Sequence, residues 1–305
     1  MSLQTLSWDW SFEPPVLIGA LVAALLYLRG LRYGLRAGLT RSVSWWRVAS
    51  FTAGLAAIIV ALESPIDTWS QQYLWAHMVQ HELLIFLAAP LLLAGAPLWP
   101  FWRAIPLGGR RNSLRWFMRH PRPRRVVLAV GRFVFAPRTV WVLFVGDFLI
   151  WHFPILYNLA LRNQNIHDLE HLTFLGTALL FWAQMIPSHP LKPRMSYVRQ
   201  AMYLVGAGVF MQLVALVLVY SNQPVYSYYQ ALPRSAGSLP LDVDQTTAGA
   251  LMNLTGMIIF GATFMALAWF WLGDDERRSA ELPPPGPGDH IAGPPMTRHS
   301  RTRHV

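Results

Sequence analysis

Seven apolar runs, each long enough to cross a bilayer as a helix, constrain the fold of this chain more than any other feature. A spanning helix needs about 20 apolar residues. We expect the spans at residues 14–31, 45–62, 75–95, 139–157, 167–187, 198–220 and 248–272. Charged residues make up only 13% of the chain, against about a quarter in soluble domains. The runs do not alternate in polarity, which excludes a transmembrane barrel. The sequence therefore predicts an all-α, polytopic membrane protein with about seven transmembrane helices.

Basic residues predict the orientation of these spans. Of the 25 Lys and Arg residues, 23 lie in the C-terminal tail or in the segments 29–47, 97–138 and 188–199, whereas Arg162 and Arg234 lie elsewhere. The positive-inside rule assigns the basic segments to the cytoplasm. We therefore expect an outside N-terminus and a cytoplasmic C-terminus, in a bacterial inner (plasma) membrane. The formal net charge of +10 then reflects topology, and we expect no nucleic-acid partner.

The chain divides into a transmembrane domain, residues 1–272, and a tail, residues 273–305. The tail is rich in Pro, Gly and Arg, a composition that predicts a disordered cytoplasmic segment. Within the domain, the arginine-rich loop 97–138 is interleaved with aromatic residues such as Trp102 and Trp116. That pattern predicts amphipathic helices lying on anionic lipids at the cytoplasmic face.

Five histidines are expected at one depth, near the outer leaflet. His77 and His81 open the third span, His152 lies near the outer end of the fourth, and His167 and His171 open the fifth. Because each pair is spaced four residues apart, its two imidazoles share one helical face. We therefore expect the three spans to place these histidines in one cluster, at a single depth of the bundle.

The chemistry of this cluster favours a metal. The chain has no cysteine, which excludes thiolate metal sites, disulfides and iron–sulfur clusters. Imidazole suits Cu, Zn, Fe and Ni, and the Irving–Williams order favours copper among the divalent ions. Polar groups are costly within a membrane and usually functional there, although a single histidine at a helix end is more often only a hydrogen-bonding residue. The candidate auxiliary ligands are Met78, Asp147, Glu170 and Met252.

Two of the acidic residues have distinct predicted positions. Glu170 lies about 60° from the face that the fifth-span histidines share, close enough to contact them. Asp147 lies deeper, where we expect a proton acceptor or a hydrogen-bond partner of Gln80 or Asn253, with a purely structural role as the alternative. The segment 167–171 also matches the H-x-x-E-H pattern of inverted zinc proteases. Because no further Glu-bearing helix accompanies it, we do not expect an enzyme.

Motifs on four of the spans resemble those of the caa3-type cytochrome c oxidase assembly factor family. They are His77-Met78-Val79-Gln80-His81 with Ala94-Gly95-Ala96-Pro97-Leu98, Trp151-His152-Phe153-Pro154, His167-Asp168-Leu169-Glu170-His171, and Asp244-Gln245 with Gly249 and Met252. The resemblance covers about residues 10–272. The sequence departs from the family pattern at Thr246 and Asn253. Whether the outer loop 221–247 takes part in the function is left open.

The resemblance implies an assembly factor, not an enzyme, that delivers copper to a haem–copper cytochrome c oxidase. Its implied partners are the oxidase subunits and a periplasmic copper donor, with copper bound transiently by the five histidines. The residues themselves leave three alternatives. These are a b-type haem protein with axial histidines from two helices, a copper permease, and a scaffold that docks on the oxidase without binding metal.

Overall fold

The computed structural model describes residues 8–36, 38, 44–233 and 238–281. In chain order, the helices of this part are α1 (Pro14–Arg36), α2 (Trp45–Glu63), α3 (Pro65–Ser70), α4 (Leu74–Glu82), α5 (Ala89–Ala94), α6 (Leu98–Ala104), α7 (Leu107–Arg119), α8 (Pro121–Val134), α9 (Pro137–Trp151), α10 (Pro154–Arg162), α11 (Gln164–Trp182), α12 (Tyr197–Tyr220), α13 (Ser227–Ala231) and α14 (Leu241–Glu281). A π-helical segment, Leu83–Ala88, joins α4 to α5. No strand occurs among the described residues, which confirms the all-α prediction.

Five of the described helices are long and apolar enough to cross a membrane. They are α1, α2, the continuous helix from α4 to α5, α12 and α14. A sixth span is obtained if α8 and α9, which bend by 60° relative to each other, are counted together. Helix α11 occupies the position of the predicted fifth span, but its first turns carry His167, Asp168, Glu170 and His171. The structure therefore supports a multi-pass membrane protein with five to six spans, where the sequence predicts about seven.

Most of the helices pack around one core. Its centre is formed by Phe144 on α9, by Phe174 and Phe181 on α11, and by Leu204 on α12, all of which are almost fully buried. Helix α14 packs along α12, and α4 packs against α14. The helices that carry the predicted histidines therefore lie at the centre of the bundle, where their side chains can be excluded from water and lipid.

Helix α1 joins the bundle through a smaller, separate contact. Its Tyr27 stacks on Phe51 of α2 with ring centroids 3.9 Å apart, and the hydroxyl donates to the carbonyl of Gly95 at 2.8 Å. Gly30 is required at the crossing with α6, since a Cβ there would lie 1.9 Å from the carbonyl oxygen of Pro100. The other half of α1 leaves a cavity between itself and α11.

A side-chain hydrogen bond stabilises the π-helical segment. Pro90 has no N–H to donate to the carbonyl of Ile85, five residues before it. The indole N–H of Trp182, on α11, donates to that carbonyl instead, at 2.8 Å. Because a buried carbonyl needs a partner, this contact stabilises the wider turn. The extra residue rotates α4, with its two histidines, relative to α5 by about 100°.

The two ends of the bundle carry different side chains. At one end, the N–H of Ser11 donates to the carbonyl of Glu63, which joins the start of α1 to the end of α2. The N–H of Leu74 donates to the carboxylate of Asp244, which joins the start of α4 to the start of α14. We call this the histidine end. The opposite, arginine end holds α6, α7 and α8. Helices α7 and α8 have no buried residue, and α8 exposes Phe133. The predicted helicity of the loop is confirmed, and its binding to anionic lipid stays a prediction.

The predicted fourth span, 139–157, is wrong at its outer end. Helix α9 stops at Trp151, and a new helix, α10, begins at Pro154. Pro154 ends the first helix because the residue before a proline is driven out of the α conformation, and Phe153 is extended, with ψ 128°. His152 therefore lies at the break between the two helices.

The last helix is longer than predicted in both directions. It begins at Leu241 and ends at Glu281, whereas the sequence predicts a span at 248–272 and disorder from residue 273. The helix therefore continues past residue 273, where the predicted tail begins, and the prolines that stop a helix begin only at Pro283. The remainder of the predicted tail lies outside the described residues.

Candidate metal centre

The structure brings all five predicted histidines into one cluster. The ring centroids lie 4.3 Å apart for His77 and His81, and 4.2 Å apart for His167 and His171. The two pairs contact each other, with 5.1 Å between His77 and His167 and 5.5 Å between His81 and His171. His152 joins from the break after α9, with its centroid 6.0 Å from that of His81. The predicted convergence of three helices at one level is confirmed.

Most ring nitrogens of these buried imidazoles have no hydrogen-bond partner in the protein. None of the five is more than 6% exposed, and His77 is fully buried. Both ring nitrogens of His77 and His81 lack a partner, as does Nε2 of His152, His167 and His171. Buried polar atoms are nearly always hydrogen-bonded, so a group of them without partners suits a ligand that comes from outside the chain.

Glu170 lies among the histidines. It is fully buried, and its carboxylate oxygens are 3.8 Å from Nε2 of His77 and 3.5 Å from Nε2 of His81. Neither oxygen has a hydrogen-bond partner. A buried carboxylate needs a positive charge nearby to remain ionised, so this residue favours a bound cation within the cluster.

Two overlapping sets of atoms are close enough together to hold one metal ion. One set is His77, His167 and His171, and the other is His77, His81 and Glu170, and in each the ligand atoms lie within 4.8 Å of one another. Ligands around a tetrahedral ion, with bonds of about 2.0–2.1 Å, lie about 3.4 Å apart. Small rotations of the side chains would therefore bring the ligand atoms of either set to the spacing that one metal ion requires. His77 belongs to both.

The position of His152 is controlled by α9. Its Nδ1 donates to the carbonyl of Phe148 at 2.8 Å, and its ring stacks on the Phe148 ring with centroids 4.1 Å apart. Because Nδ1 carries the hydrogen, Nε2 keeps a free lone pair. This arrangement is typical of metal-binding histidines, whose second nitrogen donates to a carbonyl or carboxylate. His152 lies outside both three-residue sets.

Aromatic rings that the sequence analysis did not single out form the walls of the cluster. Phe174, one turn after His171 on α11, lies 4.6 Å from the ring of His81. Tyr157 of α10 lies 5.1 Å from the ring of His77, and Tyr226 stacks on Tyr157 at 3.7 Å. These rings keep water from the imidazoles, which strengthens any electrostatic interaction inside.

The outer loop 221–247 contributes to this cover. The hydroxyl of Tyr226 donates to the carbonyl of His152 at 3.1 Å, and the hydroxyl of Tyr229 donates to the carbonyl of Ser70 at 2.8 Å. Both tyrosines are almost fully buried. The loop therefore takes part in building the site as a lid that is bonded to the helix break beside His152.

The Asp244-Gln245 motif, which the structure places in the first turns of α14, also positions the helix that carries His77. The carboxylate of Asp244 accepts bonds from the N–H groups of Leu74 and Trp75, both at 3.1 Å, and so caps the start of α4. The amide oxygen of Gln245 accepts from the N–H of Val225 at 2.7 Å. The departure at Thr246 lies beside these contacts and does not remove them.

Asp147 is held in a structural hydrogen-bond network. It accepts from the indole of Trp151 and from the hydroxyl of Thr177, both at 3.0 Å. The predicted pairing with Gln80 or Asn253 is wrong, since Gln80 donates to a carbonyl of α2 and to Asp67. Asn253 instead lines a cavity between α12 and α14. The structural alternative for Asp147 therefore describes it best.

The two candidate methionines lie in apolar surroundings. Met78 is fully buried in the main core. Met252 lines the cavity between α12 and α14, which also contains the buried carboxyl of Glu82. Any role of either sulfur in binding metal stays a prediction.

One comparison with known proteins identifies a family. A family model described as a cytochrome c oxidase caa3 assembly factor matches residues 25–274. The chain is 23% identical over 274 residues to an uncharacterized protein of Mycobacterium leprae, and 24% identical over 278 residues to uncharacterized proteins of Mycobacterium bovis and Mycobacterium tuberculosis. Each alignment covers 88% of this chain but only 40% of the relative, so the chain spans about two fifths of the length of these curated relatives. No solved structure matches the chain.

Proposed function

Because the chain belongs to the cytochrome c oxidase caa3 assembly factor family, we propose that it binds a copper ion transiently in its histidine cluster and delivers it to a haem–copper oxidase during assembly. One observation carries the copper part of this proposal. Five buried histidines form a cluster, most of their ring nitrogens have no hydrogen-bond partner, and a buried carboxylate lies against two of them.

The donor set suits copper that must be released again. Neutral imidazole nitrogens bind both oxidation states of copper and lack the strong hold of thiolates, and the chain contains no cysteine. Two overlapping ligand sets share His77, so an ion can exchange one set for the other without leaving the cluster. Such partial ligand exchange lowers the barrier to transfer, since the ion is never without ligands.

The location also suits a membrane-embedded recipient. The cluster lies within the first two turns of α4 and α11, inside the bundle and near its histidine end. We propose that this end faces the outside of a bacterial inner membrane, because the arginines lie at the other end. A donor in the periplasm would then load the cluster, and the oxidase subunits would receive copper from it.

Two of the alternatives from the sequence have less support. A haem with two axial histidines needs a slot for the macrocycle between the rings, but here His77 contacts both His81 and His167 directly. A permease needs polar groups along the whole path through the bilayer. Below the cluster, the π-helical segment Leu83–Ala88 is entirely apolar, and the buried α11 residues Phe174 and Phe181 are apolar as well.

The test combines metal analysis with oxidase assembly. The purified protein is expected to bind copper, and His77→Ala/His81→Ala and His167→Ala/His171→Ala are each expected to lose it and to lower oxidase activity in cells. His120→Ala is the matched control, because His120 is exposed at the arginine end. Absence of copper from the wild type under both oxidising and reducing conditions contradicts the copper proposal. Normal oxidase assembly with both double variants contradicts the role of the cluster.

A further inference from the structure

The buried cluster needs a path by which an ion reaches it, and the structure contains a negatively charged feature beside it. We propose that four carboxylates at the histidine end, those of Glu13, Glu63, Asp67 and Asp168, attract metal cations and pass them to His171. We call this group the acidic mouth. This inference rests on the proposed metal-binding function and adds to it the access route and the charge of the cargo.

Two carboxylates of the acidic mouth share a cavity with one histidine of the cluster. A cavity of about 640 Å³ lies between α1, α2 and α11, and its lining includes Glu13, Asp168 and His171. Asp168 and His171 are three residues apart on α11, so they are neighbours on the helix surface, about 5–6 Å apart at Cβ. An ion held by Asp168 therefore reaches His171 by moving one helical turn, without crossing the apolar remainder of the cavity.

His171 is the receiving residue. It is 6% exposed, and its Nε2 has no hydrogen-bond partner. It also belongs to one of the two candidate ligand sets, together with His77 and His167. The side chain thus connects the cavity with the buried cluster, and its Nε2 is not engaged in a hydrogen bond there.

The carboxylates of the acidic mouth bond to backbone and amide N–H groups. The N–H of Glu13 donates to Glu63 at 2.9 Å, which joins the start of α1 to the end of α2. The other carboxylate oxygen of Glu63 is buried and has no partner. Asp67 accepts from the amide of Gln80, and among the described residues no Lys or Arg forms a salt bridge with any of the four.

The mutual repulsion of these groups points to a cation. Burial raises the pKa of Glu13, and the negative charges of Asp168, Asp67 and Glu63 raise it further. A metal cation entering this field relieves the repulsion, and a funnel of one charge sign raises association rates about 10–10³-fold. The same field repels anions. The acceptable cargo is therefore a free or weakly complexed cation, and not a negatively charged metal chelate.

The first test measures the association rate of copper separately from its dissociation rate. Binding of Cu²⁺ to the purified full chain would be followed by stopped-flow quenching of tryptophan fluorescence, for the wild type and for Glu13→Gln/Asp168→Asn. At low salt, we expect the double variant to load about tenfold more slowly, with unchanged copper stoichiometry and dissociation rate. Raising the salt from about 0.01 M to about 1 M shortens the Debye length from about 30 Å to about 3 Å. It should therefore slow the wild type much more than the variant.

A matched control and a steric variant sharpen this test. Asp242→Asn removes an exposed aspartate that does not line the cavity and should load like the wild type. Gly19 lines the cavity with nothing within 4 Å of its Cβ position, so Gly19→Phe should fill the cavity and slow loading without changing any carboxylate. Gly146 lies at an equally open position on α9, away from the cavity. Gly146→Phe should therefore load copper at the wild-type rate.

The outcomes distinguish this route from the proposed function. If the wild type binds copper but Glu13→Gln/Asp168→Asn loads at the wild-type rate with the wild-type salt dependence, the route is wrong and the binding site stands. If the double variant instead loses bound copper at equilibrium, these carboxylates are ligands and not a route, which also overturns the inference. If the wild type binds no copper at all, the proposed function fails together with its route.

Discussion

Replacement of Glu170 by Gln tests which of the two ligand sets holds the ion. The carboxylate oxygens lie 3.5 and 3.8 Å from the nearest nitrogens of the cluster, so an ion bound by His77, His81 and Glu170 would contact the carboxylate. Opposite unit charges about 4 Å apart attract each other by about 4 kcal/mol at an effective dielectric constant of about 20. Because each 1.4 kcal/mol is a tenfold change in affinity, Glu170→Gln would then weaken copper binding about 10³-fold.

The other ligand set predicts a smaller effect. If the ion is held by His77, His167 and His171, Glu170 is an outer partner of the ligands. Loss of such a partner typically weakens metal binding by about 10–100-fold. In that case His167→Ala should cost more affinity than Glu170→Gln, whereas the order reverses if the carboxylate is a ligand.

The assay is competition with a chelator of known copper affinity. Glu82→Gln is the matched control, since Glu82 is also a buried glutamate but faces the cavity between α12 and α14. It should leave the affinity unchanged. A change of less than about threefold for Glu170→Gln, below the range for even an outer partner, would refute the reasoning that puts the ion beside this carboxylate.

Three further predictions concern the ligands and the frame around them. His77→Ala should abolish copper binding, because His77 is in both ligand sets. His152→Ala should weaken copper binding only about tenfold, the effect of losing an outer partner of the ligands. Equal losses of affinity in titrations of the two variants would contradict this. Gly30→Ala should destabilise the protein by about 1–3 kcal/mol, because the added methyl meets the backbone of α6 at 1.9 Å. Gly19→Ala, with open space around it, is its control in thermal unfolding. Asp244→Ala should cost about 1–2 kcal/mol through the lost cap of α4; an unchanged melting temperature would show that the cap does not matter.

Convergence of the histidines could be predicted because it needs only local periodicity and chain direction. Spacing of four residues puts each pair, such as His77 and His81, on one helical face. Successive spans run in opposite directions, so the start of one, the end of the next and the start of a third meet at the same end of the bundle. Neither step requires knowledge of the side-chain packing.

The shape of the cluster could not be predicted, because it depends on contacts between distant segments. The π-helical turn that rotates α4 relies on a bond between Trp182 and Ile85, which are 97 residues apart. The lid requires Tyr226 to bond with the carbonyl of His152, 74 residues away. The break after α9 was predictable in principle from Pro154, but a continuous apolar run masked it. The hydrogen-bond partners of Asp147 could not be predicted, because Thr177 becomes its neighbour only when α9 packs on α11.

The chemistry of the buried atoms limits what can occupy the cluster. A neutral imidazole has one nitrogen without a hydrogen, and most ring nitrogens of this cluster, together with both carboxylate oxygens of Glu170, have no hydrogen-bond partner. A buried polar atom without a partner costs about 1–3 kcal/mol, a large fraction of a typical stability of about 5–15 kcal/mol. A water molecule has only two hydrogens to offer, and a proton is shared by at most one pair of acceptors. A metal cation accepts several lone pairs at once and also balances the charge of Glu170. The arrangement of acceptors therefore favours a metal ion over water or a proton, whichever metal the cell supplies.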